Sequence, residues 1–152
     1  MKTLANVLWH IPFLGFISAS LTYLLGILLT LTVVASPIGL GLMEFGKFLF
    51  FPFGNAMVSG SILGKKQNVI WKTYSTIIMI LYFPLGIILT IIGILQIIGL
   101  CITIIGIPLA LVVAKSLGTY LNPVNKKCLN NYVIDVIQIK NAQNYVDNLM
   151  QK

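Results

Sequence analysis

Polar and apolar positions divide the chain into two long charge-free blocks set between lysine-bearing stretches. Residues 3–43 and 73–114 contain no Asp, Glu, Lys or Arg. Each block is about forty residues long, whereas one helical crossing of a bilayer takes about 20. Each block therefore has length for two passes, or for one pass and a re-entrant arm. Every lysine lies outside the blocks: Lys2, Lys47, Lys65, Lys66, Lys72, Lys115, Lys126, Lys127, Lys140 and Lys152. If each block crossed once, the middle and tail lysines would face opposite sides, against the lysine excess that marks cytoplasmic loops. One hairpin per block puts them all on one side. The pattern predicts two transmembrane helical hairpins with both termini cytoplasmic.

Proline and glycine mark where the arms bend. WHIPFLGF (9–16) and LYFPLGII (81–88) carry the residues of a sharp break. A break there makes the first arm of each hairpin short. The alternative is a kink at these points and a later reversal, near residues 18–20 and 93–96.

The two blocks also resemble each other. Sliding the chain by 71 residues places Leu14 and Gly15 on Leu85 and Gly86, Thr32 on Thr103, Pro37 on Pro108, Leu40 on Leu111 and Pro52 on Pro123. A duplication is the expectation, with the units parallel and related by an axis along the membrane normal. Residues 1–64 form the first membrane unit, 65–124 the second, and 125–152 a small cytoplasmic tail. Pro37 and Pro108 kink or restart a helix, since proline has no backbone N–H to donate. The helices after them cover residues 38–51 and 109–121.

These post-proline helices carry the charges nearest the apolar blocks. Lys115 falls on Glu44 in the 71-residue register, and Lys47 lies one turn beyond Glu44. If the units pack about their axis, Glu44 and Lys115 meet. One reading makes Glu44 and Lys47 a headgroup-level pair, with Lys115 reaching the interface. A second makes the three line a pore or gate, and a third makes them a structural buried pair. Gly26, Gly39, Gly41, Gly93, Gly99 and Gly106 allow helices to approach closely. Gly39 and Gly106, beside the equivalent prolines, would alternatively expose carbonyls along a broken-helix ion path. The candidate pathway residues are thus Glu44, Lys47, Lys115, Pro37, Pro108, Gly39 and Gly106. Phe48, Phe50, Phe51 and Phe53 suggest an interfacial anchor, or alternatively a hydrophobic constriction.

Outside the blocks, residues 52–68 read as a cytoplasmic loop or short hairpin. YVIDVIQI (132–139) suggests a strand that pairs with residues 55–63. NAQNYVDNLMQ suggests a short amphipathic helix capped by Asn141.

Composition fixes the solvent. Of 152 residues, 58% are hydrophobic and 9% charged, and the mean hydropathy is +0.98. A soluble domain carries about 25% charged residues, so the expected surroundings are lipid. The net charge of +7 comes without base-reading or stacking motifs, which argues against nucleic acid as a partner. Cys101 and Cys128 have neither disulfide-framework nor metal spacing. The apolar start is too long and lacks a clear cleavage site for a removed signal peptide.

Glu44-x-x-Lys47-x-x-x-x-Pro52-Phe53-Gly54-Asn55, and Cys101-Ile-x-Ile-Ile-Gly106-Ile107-Pro108 followed by Lys115 and Pro123-Val124, resemble the YccF family. This is the bacterial inner-membrane component domain. The resemblance runs from Asn6 to about Val124 and departs at Ala110 and Asn125, where the family pattern has glycine; asparagine tolerates the left-handed region. It implies an inner-membrane location and a duplicated domain, and it supplies no activity.

Catalytic constellations are not visible. His10 is the single histidine, Glu44, Asp135 and Asp147 are far apart in sequence, and no phosphate-binding glycine motif occurs. The expected protein is an all-α integral membrane protein, not an enzyme and without cofactor or metal. Its expected partners are the lipid bilayer and further copies of itself. Two functions fit: a homo-oligomeric ion channel or transporter-like subunit, with an ion as cargo, or a non-conducting scaffold or accessory subunit.

Overall fold

A computed structural model describes residues 2–11, 14–63 and 68–150. Pro12, Lys65, Lys66 and Lys152 lie outside the described residues. The elements run α1 (Lys2–His10), α2 (Gly15–Leu31), α3 (Ser36–Phe50), β1 (Asn55–Ser59), α4 (Val69–Cys101), α5 (Ile107–Leu121), β2 (Lys126–Asn130) and α6 (Asn131–Met150). Short 3-10 turns cover Gly60–Leu63 and Ile104–Gly106.

Helices dominate, as expected, and β1 and β2 add one antiparallel two-stranded sheet. Its register pairs Asn55 with Asn130, Met57 with Cys128 and Ser59 with Lys126. The expected strand at residues 132–139 is instead the first part of α6, which also absorbs the shorter helix expected after Asn141. The segment 55–63 does supply a strand, but it pairs with KKCLN at 126–130.

Each hairpin reverses later than either position read from the sequence. The reversals are at residues 32–35 and 102–106, immediately before Pro37 and Pro108. Both prolines sit in the first turn of their helices, where a missing N–H costs nothing and the fixed φ suits the helix. They start α3 and α5. Val33 takes a left-handed conformation (φ 60) within the first reversal. In the second, the Thr103 hydroxyl accepts the Gly106 N–H at 3.2 Å.

Pro84 does not end a helix. α4 continues through it for 33 residues. Contacts with the end of α5 hold both sides of this point. Tyr82 Oη donates to the Tyr120 carbonyl at 3.2 Å, and a Cβ on Gly86 would collide with the Leu121 carbonyl. In α2 and α3, a Cβ on Gly26 would lie 2.8 Å from the Gly39 carbonyl oxygen, and one on Gly39 2.7 Å from that of Gly26. These glycines bring the two backbones together, as small residues do between membrane helices. Gly93 instead packs on the side chains of Leu117 and Tyr120, and Gly99 has nothing within 4 Å.

α1 closes the other end of α3. The last carbonyls of a helix have no partner within it. Trp9 Nε1 donates to Leu49 O at 2.9 Å, and His10 Nε2 lies 2.7 Å from Phe50 O. A carbonyl only accepts, so Nε2 carries the imidazole proton. Asn6 Oδ1 accepts the Phe53 N–H at 3.3 Å. The core collects here, around Trp9, Ala19, Phe45, Phe48, Leu49 and Val112. Phe48 is fully buried and Phe53 partly so, which corrects the expected anchor: of the four phenylalanines only Phe51 is exposed.

The tips of the hairpins do not lie side by side. Tyr74 Oη, near the start of α4, donates to the carbonyls of Val33 and Val34 at the first tip (3.0 and 2.7 Å). The second tip begins at Ile102, after the other end of α4. At about 1.5 Å per residue the two tips are roughly 40 Å apart. The parallel arrangement expected from lysine positions is therefore corrected. Antiparallel pairing of β1 with β2 turns one unit round against the other, and hydropathy carries no record of that choice.

α4 is long and apolar enough to cross a membrane, while α2 and α5 are shorter apolar helices. Ile70, Ile80, Leu81 and Leu95 are among many large apolar side chains exposed along α4. An apolar surface this continuous calls for lipid or a partner. Overpacking a tight crossing costs about 1–3 kcal/mol. Gly26→Leu should lower the thermal midpoint in detergent by that measure, and Gly99→Leu should leave it unchanged.

Candidate functional site

The candidate charges gather where the helices meet the sheet. Glu44 lies on the face of α3 turned to β2. Its Oε1 accepts from Lys47 Nζ at 3.0 Å and from Lys127 Nζ at 3.3 Å, and its Oε2 accepts the Cys128 N–H at 3.1 Å. The carboxylate side chain is 14% exposed, whereas both amines are about half in solvent. Lys47 is thus the pairing partner that its spacing suggested. Lys127 and Cys128, more than eighty positions away, were not readable as partners.

Lys115 does not take Glu44 as its partner. Its Nζ donates to the Pro52 carbonyl at 3.2 Å and stands 5.8 Å from the centroid of the Phe53 ring. Glu44 in the first unit takes a backbone N–H from the strand of the second. Lys115 in the second hairpin donates a hydrogen bond to a backbone carbonyl just before β1. An acid suits an N–H and an amine suits a carbonyl, so each reaches across to the other unit's backbone.

Gly39 and Pro37 lie where α3 leaves the first tip, and Gly106 and Pro108 where α5 leaves the second. The structure therefore separates these two pairs and does not bring them into one path. Gly106 is buried, and a Cβ there would collide with the Leu100 carbonyl. At Asn125 the backbone is left-handed (φ 57), which asparagine tolerates.

Between the hairpins lies a cavity of about 310 Å³ lined by both apolar and polar side chains, with Thr22, Tyr82, Gln96, Thr119 and Tyr120 as its polar members. Thr119 is 2% exposed, and its hydroxyl has no hydrogen-bond partner among the described residues. Neither Thr119 nor Gln96 stood out in the sequence, because single polar residues in apolar helices have no spacing to mark them.

Both cysteines are free. Burial pushes the Cys128 thiol up to about 11, with the Glu44 carboxylate adding to the effect and Lys47 opposing it. At pH 8 its thiolate fraction is then roughly a thousandth. Alkylation of Cys128 at pH 8 should run about two orders of magnitude slower than for an ordinary cysteine. Glu44→Gln removes a negative neighbour and should speed it; mass spectrometry of the labelled peptides reads the rate.

This arrangement defines a class: a helical membrane protein in which a small sheet clamps two hairpins. Within that class, residues 4–55 match the YccF family model, described as an inner membrane component domain. The match covers about a third of the chain and includes the stretch from Glu44 to Asn55, so the similarity to inner-membrane components is to that part of it. No curated protein and no solved structure matches the chain.

Proposed function

We propose that the protein is a non-conducting scaffold or accessory subunit of the bacterial inner membrane. The supporting observation is the use made of Glu44, which accepts hydrogen bonds from Lys47, Lys127 and the Cys128 N–H together. A carboxylate held by three donors, two of them cationic, serves as a clamp and is poorly placed to select or pass ions. α1 packs beside Phe53, and α6 starts at Asn131, whose N–H donates to the Gly54 carbonyl at 3.1 Å. α1, the start of α6, the sheet and the charges around Glu44 thus lie together, and the lysine excess favours the cytoplasmic side for them. α6, with Tyr132, Val136, Tyr145 and Met150 exposed, is the segment through which partners would be met. No reaction is part of this reading.

The two units derive from a duplication in this account. α3 and α5 start at residues 36 and 107, and β1 and β2 at residues 55 and 126, a separation of 71 in both cases. Shifting the ladder by the same step carries the pair Asn55–Asn130 onto Lys126–Ser59 and leaves Met57–Cys128 on itself. That is the signature of two equivalent units about a two-fold axis.

The second reading is a homo-oligomeric ion channel or transporter-like subunit. The cavity at Thr119 and Gln96 favours it, since an unsatisfied buried hydroxyl is a place for water or an ion. Ion flux into liposomes separates the two readings. Wild-type protein should give no flux above protein-free vesicles, over several cations and anions and both voltage signs. A flux that Thr119→Val abolishes and Glu44→Gln spares would overturn the scaffold reading in favour of the channel.

A further inference from the structure

We propose that two adjoining polar cavities at the start of α4 bind the phosphate of an anionic phospholipid headgroup. The larger, of about 480 Å³, lies between the start of α3, the first turns of α4 and the link into β2. The smaller, of about 200 Å³, lies on the other side of Ser75 and extends toward Ser59 and Asn122. Ser75 lines both. It is 7% exposed, and its hydroxyl makes no hydrogen bond among the described residues. The hydroxyl opens onto the cavities it lines, so it has a hydrogen bond to offer to a ligand.

The walls carry positive charge. Lys126 and Lys127 line the larger cavity and Lys72 the smaller, and no Asp or Glu lines either one. Glu44 meets Lys127 from α3 but does not line the cavities. A phosphate oxygen accepts hydrogen bonds from a hydroxyl and from ammonium groups alike, so the lining suits an anion of this class.

The same chemistry would hold a free phosphate, but the surroundings select a lipid. Val69 and Ile70, at the first turn of α4, are 78% and 85% exposed. Trp71 lines the larger cavity, and tryptophan belongs at headgroup level. Beyond it the exposed Ile77, Ile80 and Leu81 offer an apolar track for acyl chains. Basic pockets between membrane helices suit acidic headgroups for these reasons. The inference does not depend on the scaffold reading, because a channel subunit would hold the lipid equally well.

Native mass spectrometry of the purified full chain in detergent tests the proposal, with phosphatidylglycerol and phosphatidylcholine as probes. One phosphatidylglycerol should be retained about tenfold more tightly than phosphatidylcholine, whose choline cancels the phosphate charge. Lys72→Gln with Lys126→Gln should weaken retention about 30-fold, at about fivefold per lysine. Ser75→Leu, which fills the space between the cavities, should abolish it. Lys140→Gln on α6 should change nothing. Helical content and thermal midpoint show whether each variant folds; if Ser75→Leu fails to fold, the lysine pair decides. Equal retention of both lipids, or equal loss in Lys140→Gln, overturns the proposal. Displacement of the bound lipid by millimolar inorganic phosphate would assign the cavities to a soluble anion and overturn the lipid source.

Discussion

The antiparallel ladder between β1 and β2 is the constraint on which the arrangement depends. Each hairpin is held within itself by glycine-mediated backbone contact, Gly26 with Gly39 and Gly86 with the end of α5. Between the hairpins many of the ties gather around the sheet. They include the ladder, the Glu44 contacts to Lys127 and Cys128, the Lys115 contact to Pro52, and the packing of Gly41 on the Pro123 carbonyl, while Tyr74 ties the start of α4 to the first tip and the Phe45 ring meets Tyr120 edge-on. In an apolar solvent no hydrophobic force gathers helices. Polar bonds at the edge of the apolar region therefore decide how the halves sit. The tips stand roughly 40 Å apart, at about 1.5 Å per residue of α4 from Tyr74 to its end, so the halves face in opposite directions.

Local necessities explain the rest of the fold. Proline starts a helix at no cost in hydrogen bonds, so the reversals fall just before Pro37 and Pro108. The end of α3 has orphan carbonyls, and Trp9 and His10 supply donors to them. This gives α1 a purpose that its sequence conceals: it is the cap of a helix forty residues further on. The charges follow the same economy. An acid on α3 and a base on α5, at equivalent positions, each find the backbone group of matching polarity in the opposite unit.

Much of this was legible in the sequence. Hydropathy marked both apolar blocks, and Pro37 and Pro108 marked the starts of α3 and α5. The Glu44–Lys47 pair followed from spacing on one helix face. What escaped was set by contacts distant in sequence. KKCLN has no strand-like alternation and becomes a strand through its partner NAMVS. YVIDVIQI has the apolar content of a strand, but with β1 already paired to KKCLN it remains helical. LYFPLGII contains a proline in an apolar run, and the ties of Tyr82 and Gly86 to α5 keep the helix whole. Lysine counting favours placing all charges on one face, and it cannot tell whether the hairpins beneath that face run side by side or point apart.

The distance between the hairpin tips depends on which way the two hairpins point. Spin labels at Val33→Cys and Ile104→Cys, both on exposed tip residues, in a chain with Cys101 and Cys128 replaced by alanine, report it by pulsed electron resonance in lipid. An antiparallel clamp predicts a main population at roughly 40 Å, the length of α4 from Tyr74 to its end. A main population below about 25 Å, the separation of hairpins lying side by side with helix axes about 10 Å apart, would contradict it.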